Sequence, residues 1–308
     1  MTLPNFLVIG AAKAGTSSLE MYLRQHPEIF LNSTWKELRF FAYDGHPPSY
    51  AGPGDVESNK HTITTLGTYQ AQFQGASGKK AIGEVSPIYL YSERAPERIA
   101  HYIPDVKLIA VLRNPVERAY SHYMNLRRDL RETEGSFARA LALEDDRIRK
   151  NWEWSWHYRR VGLYHDQLGR YFGRFDSSRI RVFLYDDLQR DPGGMTRDVF
   201  RFLGVDDTVV PDTSVRFNVS GLPRSRALPR ALMRTRTYLL RTLAPVEPYI
   251  PTALWRGGGT MIWALYNANF AKPPLGDDVR SSLVEYFRDD VRRLEALIGR
   301  DLSHWLEC

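Results

Sequence analysis

The 308 residues are 43% hydrophobic and 25% charged, ordinary proportions for a globular chain with room for one large domain. A formal net charge of +6 suits an anionic ligand such as a nucleotide or acidic glycan, and equally a merely soluble surface, so charge selects no function. The single cysteine, Cys308, excludes an intrachain disulfide and a cysteine-based zinc site.

The N-terminal residues Met1 to Asn5 carry no basic region, and the apolar run Phe6 to Gly10 is too short for a signal-peptide core. No apolar stretch approaches the ~20 residues of a membrane span. The expectation is a soluble, cytoplasmic protein with no membrane span.

Short apolar runs alternate with helical patterns, which predicts an α/β fold with a mainly parallel sheet. Phe6 to Ile9 reads as a buried strand, Gly10 to Gly15 as a loop, and Ser17 to Gln25 as a helix stopped by Pro27. Residues 43–60, rich in Gly, Pro and Ser, read as a loop. Lys107 to Leu112 is a second buried strand. Asn114 and Pro115 then supply an N-cap and a first-turn proline to a helix with Val116, Ala119, Tyr120 and Tyr123 on one face. Ile180 to Leu184 is a third strand, leading through Asp191 and Pro192 to a helix from Met195 to Leu203. Residues 211–229 form a polar, basic loop, and Val279 to Ile298 a long helix with a core stripe of Leu283, Phe287, Val291, Leu294 and Ile298. No repeat interrupts the chain, so residues 1–308 read as one domain with flexible loops.

Two places carry chemistry. Gly10-Ala11-Ala12-Lys13-Ala14-Gly15-Thr16-Ser17-Ser18 joins the first strand to its helix; small residues let backbone amides wrap a phosphate at a helix N-terminus. Its two glycines have P-loop spacing, but the lysine lies before the second glycine instead of after it. Close strand–helix packing would also use such small residues. In Arg113-Asn114-Pro115-Val116-Glu117-Arg118-Ala119-Tyr120-Ser121, Arg113 ends a buried strand at the carboxyl edge where α/β folds bind ligands. Ser121 lies two helical turns on. The pair suits a second phosphate, although a strand-end arginine also serves in local ion pairs.

Together these stretches resemble the PAPS-dependent sulfotransferases, where PAPS is 3′-phosphoadenosine-5′-phosphosulfate. Lys13, Ala14, Gly15, Thr16, Ser17 and Ser18 look like that family's 5′-phosphosulfate loop. Arg113 and Ser121 match its 3′-phosphate motif. Lys36-Glu37-Leu38-Arg39-Phe40-Phe41 is similar to the Lys-Glu-x-His-Phe-Phe segment of the heparan-sulfate-type branch, and Gly83-Glu84-Val85-Ser86-Pro87 resembles its Glu-Lys-Ser-Pro stretch. The likeness continues through Gly162-Leu163-Tyr164, Tyr185-Asp186-Asp187-Leu188 and Asp191-Pro192 to Arg300-Asp301-Leu302.

The resemblance implies a P-loop-like single domain, PAPS as co-substrate without a metal, and Glu37 as general base. Lys13 would neutralise the leaving phosphate, and Arg224 and Arg226 would belong to a basic loop closing over the nucleotide. Arg39, Glu84 and His157 are the candidates for touching the acceptor, a glycan or small molecule. Arg39 and Val85 depart from the branch's histidine and lysine, so the acceptor need not be heparan-like. Nucleic acid is not an expected partner. His157 lies among Trp152, Trp154 and Trp156, a cluster that also suits core packing. The arginines from Arg230 to Arg241 fit a solvated amphipathic helix, or contact with an anionic acceptor or lipid.

Two rival readings stand beside this one. A P-loop kinase could use Asp186 or Asp187 at the end of the third strand to hold magnesium, but the misplaced lysine opposes it. A non-catalytic nucleotide- or glycan-binding module would leave Glu37 without a task.

Overall fold

The computed structural model describes residues 2–32, 37–214, 221–223 and 270–307. Strands Phe6–Gly10 (β1), Ile29–Leu31 (β2), Ala81–Val85 (β3), Lys107–Leu112 (β4) and Ile180–Leu184 (β5) form one parallel sheet in the order β2-β3-β1-β4-β5. Helices flank it, so the α/β architecture expected from the alternation, and the P-loop-like arrangement the resemblance implied, are present. Phe6, Leu7, Val8 and Ile9 are fully buried, as are Leu108 to Leu112. That is why the central strands read as unbroken apolar runs: a parallel sheet covered on both faces has no solvent side to mark with polar residues. Each such side chain contributes ~1.5–3 kcal/mol.

Helix boundaries follow local capping chemistry. Asn114 accepts from the Val116 and Glu117 amides at 3.0 and 3.3 Å, opening the helix Pro115–Arg128. Asp191 accepts from the Gly194 amide at 2.8 Å, so the next long helix begins at Pro192, ahead of the expected Met195, and closes on Gly204. The first helix is Thr16–Leu23, and the last is Asp277–Ile298. In that last helix Asp290 faces inward and accepts from the Tyr164 and His165 amides at 2.8 and 3.2 Å, fixing the start of the helix Tyr164–Phe172.

Part of the stretch expected as a loop is regular: Asp55–Lys60 is a helix. Its first residue, Asp55, is fully buried and accepts from the amides of Gly52 and Glu153, each at 2.8 Å. Local composition did not announce this helix, because its anchor lies in a segment almost a hundred residues away. Of the second expected loop, residues 211–214 and 221–223 are described and carry no helix.

Strand order decides where a ligand can sit. After β1 the chain departs toward β2 and β3; after β4 it departs the other way, to β5. The two connections therefore part at the carboxyl ends of β1 and β4, leaving a crevice at that edge.

Candidate functional site

That crevice is a cavity of about 550 Å³ whose lining includes Lys13, Gly15, Thr16, Ser17, Glu37, Arg39, Arg113 and Ser121. Residues from the loop after β1, the end of β4, the following helix and the 37–39 segment therefore meet in one place. They are separated by up to about a hundred positions in sequence.

The loop after β1 has little freedom. Gly15 caps the first helix in a left-handed conformation, φ 91°, and has no side chain with which to cap the first-turn amides. A Cβ there would lie 2.6 Å from Leu188 Cδ2 and 3.0 Å from the Tyr185 ring. Gly10 is needed for a different reason: its Cβ would meet Leu90 Cβ at 2.6 Å. Ala14 is buried, and the Ser18 amide already donates to the Gly15 carbonyl at 3.0 Å. The loop's cavity-facing part is thus Ala12, Lys13 and Gly15 to Ser17.

Lys13 Nζ donates to Asn125 Oδ1 at 2.5 Å, while Asn125 Nδ2 donates to Asp129 at 2.6 Å. Arg113 donates through Nη1 to the Lys13 carbonyl at 3.0 Å, and its guanidinium stacks 4.6 Å from the Tyr185 ring centre. Both contacts hold its planar fork across the mouth of the loop. Ser121 is fully buried yet lines the cavity from the helix Pro115–Arg128. One helical turn on comes Asn125, then Arg128, both also lining it. Counting i, i+4 and i+7 from Ser121 would have found these two in the sequence.

Nearby charges are paired. Glu117 bonds Lys272 at 2.5 Å and Arg280 at 2.6 Å; burial opposes its ionisation, but these two cations outweigh it and bring its pKa down to about 2. Glu37 Oε2 accepts from Arg39 Nε and Nη2 at 3.3 and 3.2 Å. Beyond Arg39 lie Glu153 and Arg131, which also line the cavity and which sequence reasoning missed. His122 is a further addition. Its Nδ1 accepts from the buried Arg118 at 3.2 Å, and burial with that arginine holds its pKa well below the usual histidine range, so the ring is neutral.

Two candidates lie elsewhere. Glu84 is fully buried on β3, opposite Leu7, and does not line this cavity. Its place in the middle of a covered sheet, invisible in a short motif, is the reason. His157 lines a separate cavity of about 730 Å³ with Tyr43, Tyr91 and Arg160, which shares Trp154 with the first. Tyr91 Oη donates to His157 Nδ1 at 2.8 Å and Nε2 faces the Trp152 carbonyl at 3.3 Å. Burial takes its pKa down to about 4. A neutral ring with both nitrogens engaged is locked in place, and Trp156 beside it is fully buried.

The acids at the end of β5 turn away from the cavity. Asp186 accepts from Trp305 Nε1 at 3.2 Å, and Asp187 accepts from the Leu184 amide at 3.1 Å and pairs with Arg300. Neither lines the cavity, which removes the arrangement a magnesium-dependent kinase would need. Among the described residues no cluster of three or more His, Cys, Asp or Glu could hold a metal, and no helix is long and apolar enough to cross a membrane. Arg224, Arg226 and the basic 230–241 stretch lie outside the described residues.

Comparison with known proteins converges on one family. The model of the sulfotransferase domain matches residues 3–219. Human heparan sulfate glucosamine 3-O-sulfotransferase 6 is 31% identical over 257 residues, 82% of this chain and 67% of that protein. Mouse bifunctional heparan sulfate N-deacetylase/N-sulfotransferase 4 is 27% identical over 99% of this chain, which spans only 31% of that longer protein. The crystal structure of a sulfotransferase from Alicyclobacillus acidocaldarius superposes with a TM-score of 0.78 at 37% identity, covering 100% of both chains. With the family model matching more than half its length, and a relative of the same fold matching it end to end, this chain belongs to the sulfotransferase domain family.

Proposed function

We propose that this sulfotransferase takes its sulfuryl group from PAPS and delivers it to a hydroxyl or amine of a glycan or small molecule. The observation that carries the reading is the meeting of Lys13, Arg113, Ser121 and Glu37 in one cavity. The residues present suit such a donor. Lys13, Arg113, Arg128 and Lys272 offer cationic groups along the cavity, and a side chain at Gly15 would crowd the turn that presents the loop amides.

In this reading Lys13 and the Gly15 to Ser17 amides stabilise charge on the leaving 5′-phosphate. Arg113 and Ser121 hold the 3′-phosphate, Arg113 through its planar set of donors. Glu37 removes the proton from the attacking oxygen or nitrogen, a contribution of ~10²–10⁴-fold for a placed base. Positioning supplies most of the remaining acceleration, as in phosphoryl transfer.

The test has two arms. In metal-free buffer, 3′-phosphoadenosine-5′-phosphate (PAP) at a hundred times its Kd should stabilise the fold by about 2.7 kcal/mol. A PAPS-dependent mass-spectrometric screen of glycans and small molecules should then return an acceptor bearing added sulfate. Stabilisation by ATP with magnesium, and none by PAP, would overturn the reading.

A further inference from the structure

From the cavity into the core runs a chain of alternating charges that a general base alone does not require. Asp55, Arg131, Glu153, Arg39 and Glu37 follow one another, each bonded to the next, and come from four separate stretches of chain. Glu153 is the middle member, with 3% of its side chain exposed. Its Oε1 accepts from Arg39 Nη1 at 3.2 Å and from Ser58 Oγ. Its Oε2 accepts from Arg131 Nη2 and Ser155 Oγ, each at 3.0 Å. Four donors thus fix both oxygens. Arg131 is in turn tied to fully buried Asp55 and to the Pro53 carbonyl at 2.9 Å.

Arg39 passes this rigidity outward. A guanidinium is planar, so holding its Nη1 corner sets the direction of the Nε and Nη2 edge. That edge carries both bonds to Glu37 Oε2. The Arg39 backbone is pinned as well: its φ is 61°, and its amide donates to Ser86 Oγ at 3.1 Å. Among the described residues Arg39 is the only hydrogen-bond partner of the Glu37 carboxylate, and it leaves Oε1 to accept a proton.

We infer that Glu153 is a positioning residue for the base: acting through Arg39, it holds the Glu37 carboxylate in the orientation that proton removal requires. The inference rests on Glu37 being that base. Placement within about 0.5 Å is what catalytic groups need, and a displacement near 1 Å can cost ~10²-fold in rate. A purely structural ion cluster would instead affect folding while leaving Glu153 and Glu37 energetically independent in turnover.

A double-mutant cycle separates the two, read as PAP released from PAPS with an acceptor returned by the mass-spectrometric screen, or with water alone. Glu153→Gln should lower kcat by ~10-fold or more in the wild-type chain, and by less than about 2-fold in a Glu37→Gln background. The thermal shift induced by PAP should be the same in all four proteins. An equal loss in both backgrounds, or an unchanged kcat, overturns the inference. Should Glu153→Gln fail to fold, Arg39→Gln breaks the same link nearer the cavity. The same non-additivity is expected of it, and additivity overturns the inference. If Glu37→Gln alone turns over at the wild-type rate, the base assignment fails and takes this inference with it. A slow Glu37→Gln with additive partners removes only the role of Glu153.

Discussion

Lys13 and Glu37 line the same cavity but are held in different ways, a difference that lets the proposed donor-binding and acceptor-activating roles be tested apart. Lys13 is bonded to Asn125 on the helix that also carries Ser121, and its carbonyl receives Arg113, which puts it with the residues proposed to hold the donor phosphates. Glu37 is bonded, among the described residues, only within the charge run that ends at Asp55. Glu37→Gln keeps the side chain's size and cannot take a proton. PAP affinity should therefore stay near wild type while turnover falls by ~10²-fold or more. Lys13→Ala should reduce both, because in the proposed site that ammonium would touch the donor in ground and transition states alike. Calorimetric titration with PAP beside steady-state turnover reads the split. A Glu37→Gln protein at near-normal turnover would move the base elsewhere, with His122 the next residue to test.

Among the elements, the β1 loop is where backbone geometry most constrains the cavity. Gly15→Ala places a methyl in the left-handed region and within 2.6 Å of Leu188 Cδ2. The strain should cost ~1–3 kcal/mol of stability. It should also weaken PAP binding, since the displaced Tyr185 ring is the one on which Arg113 stacks. Gly135→Ala, with open space around it, should stay within about 0.5 kcal/mol of wild type. Equal midpoints and equal PAP affinity for Gly15→Ala and wild type would show that this turn does not constrain the site.

Elements were legible wherever a local rule dictates them. Strands β4 and β5 fall where their apolar runs predict, and Asn114 with Pro115 marks the start of its helix. The loop-and-arginine pairing was legible through two motifs that strand order brings to one edge. What could not be read was the set of long-range contacts. Arg131 and Glu153 look like surface charges in sequence, and only the fold sets them beside Arg39 and Asp55. Nor could the sequence show that Glu84, in its motif, is buried on β3, or that His157, in its tryptophan cluster, lines the neighbouring cavity and is bonded to Tyr91.

For the molecule as a whole, stability against pH follows from which carboxyls the fold holds protonated. Burial raises the Glu84 pKa to about 8, against the opposing influence of the nearby Tyr89, Ser86 and Tyr69 hydroxyls. An unfolded glutamate titrates near ~4.3, so across that interval the folded chain binds the proton more tightly. The stability this contributes is complete below ~4.3 and drains away as pH rises toward 8. Asp290, raised to about 6 by burial, acts with the same sign over a narrower window. Glu117, brought down to about 2 by Lys272 and Arg280, acts oppositely: its contribution is present above the unfolded value and fades only in strong acid. Acidification and a rise toward neutral pH therefore strain different parts of the same domain, with Glu84 having the widest window of the three carboxyls. Glu84→Gln mimics the protonated acid and cannot ionise. Its stability relative to wild type should rise between pH 5 and pH 8, by an amount on the order of a few kcal/mol, and then level off. Thermal or urea unfolding of both proteins at pH 5, 7 and 9 reads the difference. A gap that stays constant over that range would mean that the carboxyl on β3 is already ionised in the folded chain, and that the sheet at this point tolerates a buried charge.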